Sequence, residues 1–73
     1  MEYEQLSHEG KIDMINDRIL NLEKHIFHNE MLLAENNSIE LFDAEGLESL
    51  GLQIATYEEQ VSALKDLKNT LTN

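Results

Sequence analysis

The chain has 73 residues, with fifteen Asp and Glu against five Lys and Arg, for a formal net charge of −10. That length allows one small domain, and the charge argues against nucleic acid and anionic membrane as direct partners, because both carry the same sign. There is no Cys, which excludes disulfides and thiolate metal sites.

A chain this short buries only about 60% of its unfolded surface and is marginally stable alone. With disulfides excluded, oligomerisation is the expected supplement. No apolar run approaches the roughly 18 residues of a membrane span. The start, Met1-Glu2-Tyr3-Glu4-Gln5, is acidic where a signal peptide or mitochondrial presequence would be basic. A cytoplasmic protein with a native start is the expectation. The acidity itself serves either solubility or attraction to a basic protein surface.

Residues 1–9 hold no stable period, and Tyr3 and Leu6 are candidates for an N-terminal extension of the first helix. Ser7 precedes the helical pattern and is a candidate cap. Gly10 stands where a capping box would want Glu or Gln.

Helix one is expected over about 10–36, spanning roughly 40 Å at 1.5 Å per residue. Its apolar residues Ile12, Ile15, Ile19, Leu22, Ile26 and Leu33 alternate in threes and fours. This is a heptad stripe with Ile12, Ile19, Ile26 and Leu33 at a, Ile15 and Leu22 at d, and Asn29 as a polar interruption at d. These seven residues form the expected self-association seam. A buried Asn in a seam fixes register and oligomer state. The alternative is that a helix end or a second partner satisfies it. Leu20, Phe27, Met31 and Ala34 lie beside the a positions, on the b/f side. A plain two-stranded pair does not need them, so Leu20, Phe27 and Met31 point to a second apolar contact, in a bundle or with a foreign partner.

Asn36-Asn37-Ser38 is the clearest break, since these side chains compete with helical backbone bonds. A short ordered connection over about 37–43 is expected, with Leu41 and Phe42 covering the end of a hairpin. Asp43 is an N-cap candidate for helix two, and Glu45 falls in a first turn that favours negative charge.

Helix two is expected over about 44–71, reading Leu47, Leu50, Ile54, Tyr57, Val61, Leu64 and Leu71, with Lys68 at the a position before Leu71. Leu67 adds width on the g side. Gly46 and Gly51 each cost about 1 kcal/mol against Ala inside a helix and mark a kink, a late start or a close approach. Residues 69–73 are expected to fray.

Two similar helices joined by about seven residues make an all-α, antiparallel two-helix hairpin of coiled-coil type, a single domain over residues 1–73. Two such hairpins would form a dimeric four-helix bundle that uses the extra face of helix one. The rival is a parallel pair through helix one, in which Arg18 would face Glu23 and His25 would face Glu30 of a second copy.

The cations are Lys11, Arg18, Lys24, Lys65 and Lys68, with none between His25 and Leu64. A hairpin therefore has a purely acidic turn end and a mixed open end. Glu35, Glu40, Asp43, Glu45 and Glu48 are the candidate acidic surface for a basic protein. The plainer alternative is a solvated face.

His25 and His28 share a helix face, but neither follows a Glu by three residues, as metal-binding bundles require, and helix two has no histidine. No Gly-rich phosphate loop, zinc-protease motif or Cys nucleophile is present. No catalytic residue, cofactor or metal ligand is therefore assigned. The expected function is a non-enzymatic protein–protein interaction module that self-associates, favouring a dimer, and binds another protein through an apolar face or its acidic tip. The alternative is a small acidic inhibitor, a possible nucleic-acid mimic, occupying a basic site on a nucleic-acid-handling protein. A metal-binding helical bundle is a distant third. In general style, short, acidic and free of proline, the chain looks like the accessory proteins of large bacteriophages; no motif carries that likeness and no family is assigned on it, but it adds slightly to the expectation of an inhibitor or assembly factor, working in a host cytoplasm if viral.

Overall fold

The computed structural model of the chain describes residues 7–72; Tyr3 and Leu6, read as a helical extension, lie outside the described residues. Two helices of 29 residues, α1 (His8–Asn36) and α2 (Ala44–Thr72), pack against each other as an antiparallel hairpin measuring 50 × 19 × 17 Å. No strand occurs among the described residues.

Each helix starts at a residue whose short polar side chain replaces a missing intrahelical acceptor. Ser7 is extended, with φ −66° and ψ 161°, and its Oγ accepts the Gly10 N–H at 2.9 Å. Asp43 does the same for α2, where its Oδ1 accepts the Gly46 N–H at 2.9 Å. Glu9 and Glu45 place negative charge in the two first turns, where the helix dipole favours it.

The connection between the helices is tied down by backbone and side-chain bonds. Asn37 N–H donates to the Ala34 carbonyl at 3.1 Å, and Ser38 and Ile39 both donate to the Glu35 carbonyl, at 3.0 and 3.1 Å. The Asn36 Oδ1 then accepts two N–H groups, from Leu41 at 2.7 Å and Phe42 at 2.9 Å. An asparagine side chain standing in for a backbone acceptor is the physical reason the helix stops here. Phe42 is half-buried, whereas Leu41 is exposed. Of the two residues expected to cover the hairpin end, only Phe42 turns inward. It can do so because Gly46 leaves room: a Cβ on Gly46 would stand 3.0 Å from the Phe42 Cβ. Gly46 is thus the close approach, while Gly51 has nothing within 4 Å of where its Cβ would be.

The core is one seam deep. Ile15, Ile19 and Leu22 of α1 are buried with Val61 of α2, and Ile26, Tyr57, Leu64 and Leu71 pack against them. Leu50 is buried nearer the turn. Asn29 lies in the same seam, 6% exposed, and its Nδ2 donates to Gln53 Oε1 at 3.2 Å. No buried side-chain polar atom among the described residues lacks a partner. α2 is helical through Thr72; Asn73, the last of the residues expected to fray, lies outside the described residues. Leu71 packs on the seam, and the Thr70 and Thr72 hydroxyls donate to the Asp66 and Asn69 carbonyls at 3.1 and 3.2 Å. Among the described residues no helix is long and apolar enough to cross a membrane.

Candidate interaction surfaces

The heptad stripe of α1 faces α2 of the same chain. Ile15, Ile19, Leu22 and Asn29 are buried, and Ile12, Ile26 and Leu33 are half-buried. The surface that a parallel pair through α1 would require is therefore covered from within the chain. Burying these residues against α2 stabilises the hairpin, at about 1.5–3 kcal/mol for each fully buried aliphatic side chain.

The residues read as a second apolar contact stand elsewhere. At 100° per residue, Leu20, Phe27 and Met31 fall within about 20° of a common line along α1, roughly 110–150° around the axis from the middle of the heptad stripe. They are 52%, 61% and 44% exposed. The line runs roughly 16 Å, at 1.5 Å of rise per residue. Ala34 is exposed nearby on the same helix. Two other large apolar side chains, Met14 and Leu52, are exposed without having been singled out by periodicity. Each is outside the stripe of its helix, so only its exposure marks it.

Beside the seam lies a shallow groove of ≈450 Å³ with Ile26 and Val61 at its floor and Glu23, Glu58, Ser62 and Lys65 around it. Across the seam at another point the His25 and Tyr57 rings stack, with centroids 5.5 Å apart and planes inclined by 21°. His25 thus has an aromatic neighbour on α2, a contact within the favourable range for ring pairs. Among the described residues no group of three or more His, Cys, Asp or Glu is placed to hold a metal ion.

The turn end carries the acidic residues. Glu35, Glu40, Asp43, Glu45 and Glu48 are all exposed. Asp43 is engaged as the cap of α2, and Glu35 lines a notch of ≈330 Å³ together with Ser38, Ile39 and Leu41. Leu41, expected over the hairpin end, is exposed, as is Ile39. Ile39 is 62% and Leu41 44% exposed, and the two Asn36 hydrogen bonds hold the backbone at Leu41 and Phe42. Of the three, Phe42 alone is half-buried.

Gln53 is a seam-flanking residue that periodicity passed over. It sits at the g position beside Ile54, where polar residues are ordinary. Its role is set by a residue 24 positions away, and no local pattern carries that signal.

No protein-family model matches this chain, and neither a curated protein nor a solved structure is detectably similar to it.

Proposed function

We propose that the hairpin is a non-enzymatic interaction module that self-associates through the back of α1, two copies meeting at Leu20, Phe27 and Met31 to form a four-helix bundle. The observation that carries this reading is the single line of three large exposed apolar side chains on the side of α1 away from α2. Charged or polar residues suffice on a helix back that only meets water. An apolar line there gains free energy when another apolar surface covers it, at roughly 25 cal/mol per Å².

A seam of one layer leaves both helix backs outside, and a second hairpin is the simplest way to cover one of them.

Light scattering on a size-exclusion column at low and high salt tests the proposal. The expected mass is twice the 8.4 kDa of one chain, unchanged by salt because the contact is apolar. Leu20→Glu with Phe27→Glu is expected to give the monomer mass with the helical circular dichroism retained. A wild-type chain that runs as a monomer at every concentration would sink the idea.

A further inference from the structure

We propose a second binding surface, separate from the back of α1: the notch at the turn end receives a basic amphipathic segment of another protein, its apolar side chain lodged against Ile39 and Leu41 and its Lys or Arg side chains reaching the surrounding carboxylates.

Three observations lead to that occupant. First, Ile39 and Leu41 are apolar and exposed in a connection whose fold does not use them. The turn is held by the Asn36 side chain, the Glu35 carbonyl and the Asp43 cap, and the inward apolar contact is made by Phe42 with Gly46. Secondly, the notch is held in place before any partner arrives. The backbone N–H groups of residues 37, 38, 39, 41 and 42 are all bonded to Ala34, Glu35 or Asn36 at the end of α1, so binding orders little further chain. Thirdly, its surroundings carry one sign of charge. Glu35 lines the notch, Glu40 and Asp43 lie in the connection and Glu45 and Glu48 in the start of α2, and no Lys or Arg occurs between Lys24 and Lys65.

Charge complementarity selects the class of partner. Nucleic acid and anionic lipid are repelled. An uncharged apolar segment would draw nothing from the carboxylates. The volume of ≈330 Å³ lies at the small end of ligand pockets and suits one or two side chains. The two chemistries divide the work. Exposed ion pairs each contribute little to affinity but raise the association rate and make it depend on salt. The anchor against Ile39 and Leu41 holds the complex.

The probe is a fluorescent synthetic helix of alternating Lys/Arg and Leu/Phe faces, set against an oligolysine of the same charge. The readouts are anisotropy at low and high salt and amide chemical shifts of the labelled hairpin. The amphipathic peptide is expected to bind, with shifts confined to residues 35–45, at least about tenfold more tightly than oligolysine, a difference of about 1.4 kcal/mol. Ile39→Ser with Leu41→Ser is expected to remove that tenfold advantage without loss of helix. Glu35→Lys with Glu40→Lys, which places cations where the α1 dipole favours them, is expected to abolish binding. Equal binding of oligolysine, or shifts centred on Leu20, Phe27 and Met31, would overturn the proposal. So would no binding, or a fall in solution mass in the Ile39→Ser/Leu41→Ser variant, which would make the occupant a second copy. The mass of the wild-type chain reports on the back of α1 independently of all these results.

Discussion

On the inner face of α1, Ile15, Ile19 and Leu22 are buried against α2, whereas on its back Leu20, Phe27 and Met31 stand in solvent. The two faces are built from the same kinds of side chain at the same helical spacing. What separates them is the neighbour. The inner face has an antiparallel helix of equal length to cover it, with one polar pair, Asn29 and Gln53, hydrogen-bonded across it. The back has none among the described residues. Apolar periodicity thus fixes that a helix face needs cover, and the rest of the chain decides whether the cover is internal.

The contrast breaks most sharply at Leu22, the least exposed core residue at 2%. Leu22→Ala is expected to cost about 2–5 kcal/mol, a large share of the stability that a chain of this length can have, at roughly 0.05–0.15 kcal/mol per residue. Urea denaturation followed by circular dichroism should show a much lower midpoint or no folded baseline. The matched change on the back, Leu20→Ala, belongs in a Phe27→Glu background, so that association does not contribute to the midpoint. There it is expected to shift stability by less than about 0.5 kcal/mol. Equal losses at the two positions would mean that the back of α1 is covered within the chain.

The polar pair gives the next largest effect. Gln53→Ala leaves the buried Asn29 amide without its partner, which costs about 1–3 kcal/mol. Replacing both, as Asn29→Leu with Gln53→Leu, is expected to recover that stability while loosening the register of the two helices. Denaturation midpoints report the first effect, and a doubling of amide resonances along α2 would report the second.

A smaller version of the same contrast, filled against empty space, occurs at two glycines of α2. Gly51 has an open position for a Cβ, so Gly51→Ala should stabilise by about 0.8–1 kcal/mol through helix propensity alone. Gly46→Ala should gain less or lose, because the added Cβ meets Phe42 at 3.0 Å. Thermal midpoints of the two variants, compared at one protein concentration, would separate them. An equal gain at both would show that Phe42 does not rest on Gly46.

Much of the fold was legible because its signals are local. Ser7 and Asp43 are capping residue types placed just before periodic runs, and both cap helices. Asn36-Asn37-Ser38 marks the break, and Asn36 proves to be the residue whose side chain organises it. The apolar line through Leu20, Phe27 and Met31 could also be read from spacing, since it depends only on the helical period. Other features were not legible. Leu41 and Phe42 are adjacent apolar residues with equal claim to the interior. Only the fold separates them, with their N–H groups bonded to a side chain five and six residues back.

The sequence by itself determined that this is an all-helical chain, where its break falls, which faces of each helix are apolar, and that its turn end is acidic. Period, capping chemistry and charge are properties of neighbouring residues, and they survive any arrangement of the helices. Only the tertiary structure decided that α2 covers the heptad stripe of α1, that Gln53 satisfies Asn29, and that Phe42 turns in while Ile39 and Leu41 remain outside. Each of those depends on residues brought together by the fold, and an apolar stripe binds whatever apolar surface reaches it at the lowest entropic cost. For α1 that surface is its own neighbour, because a tethered helix reaches it at an effective concentration that a separate chain does not match.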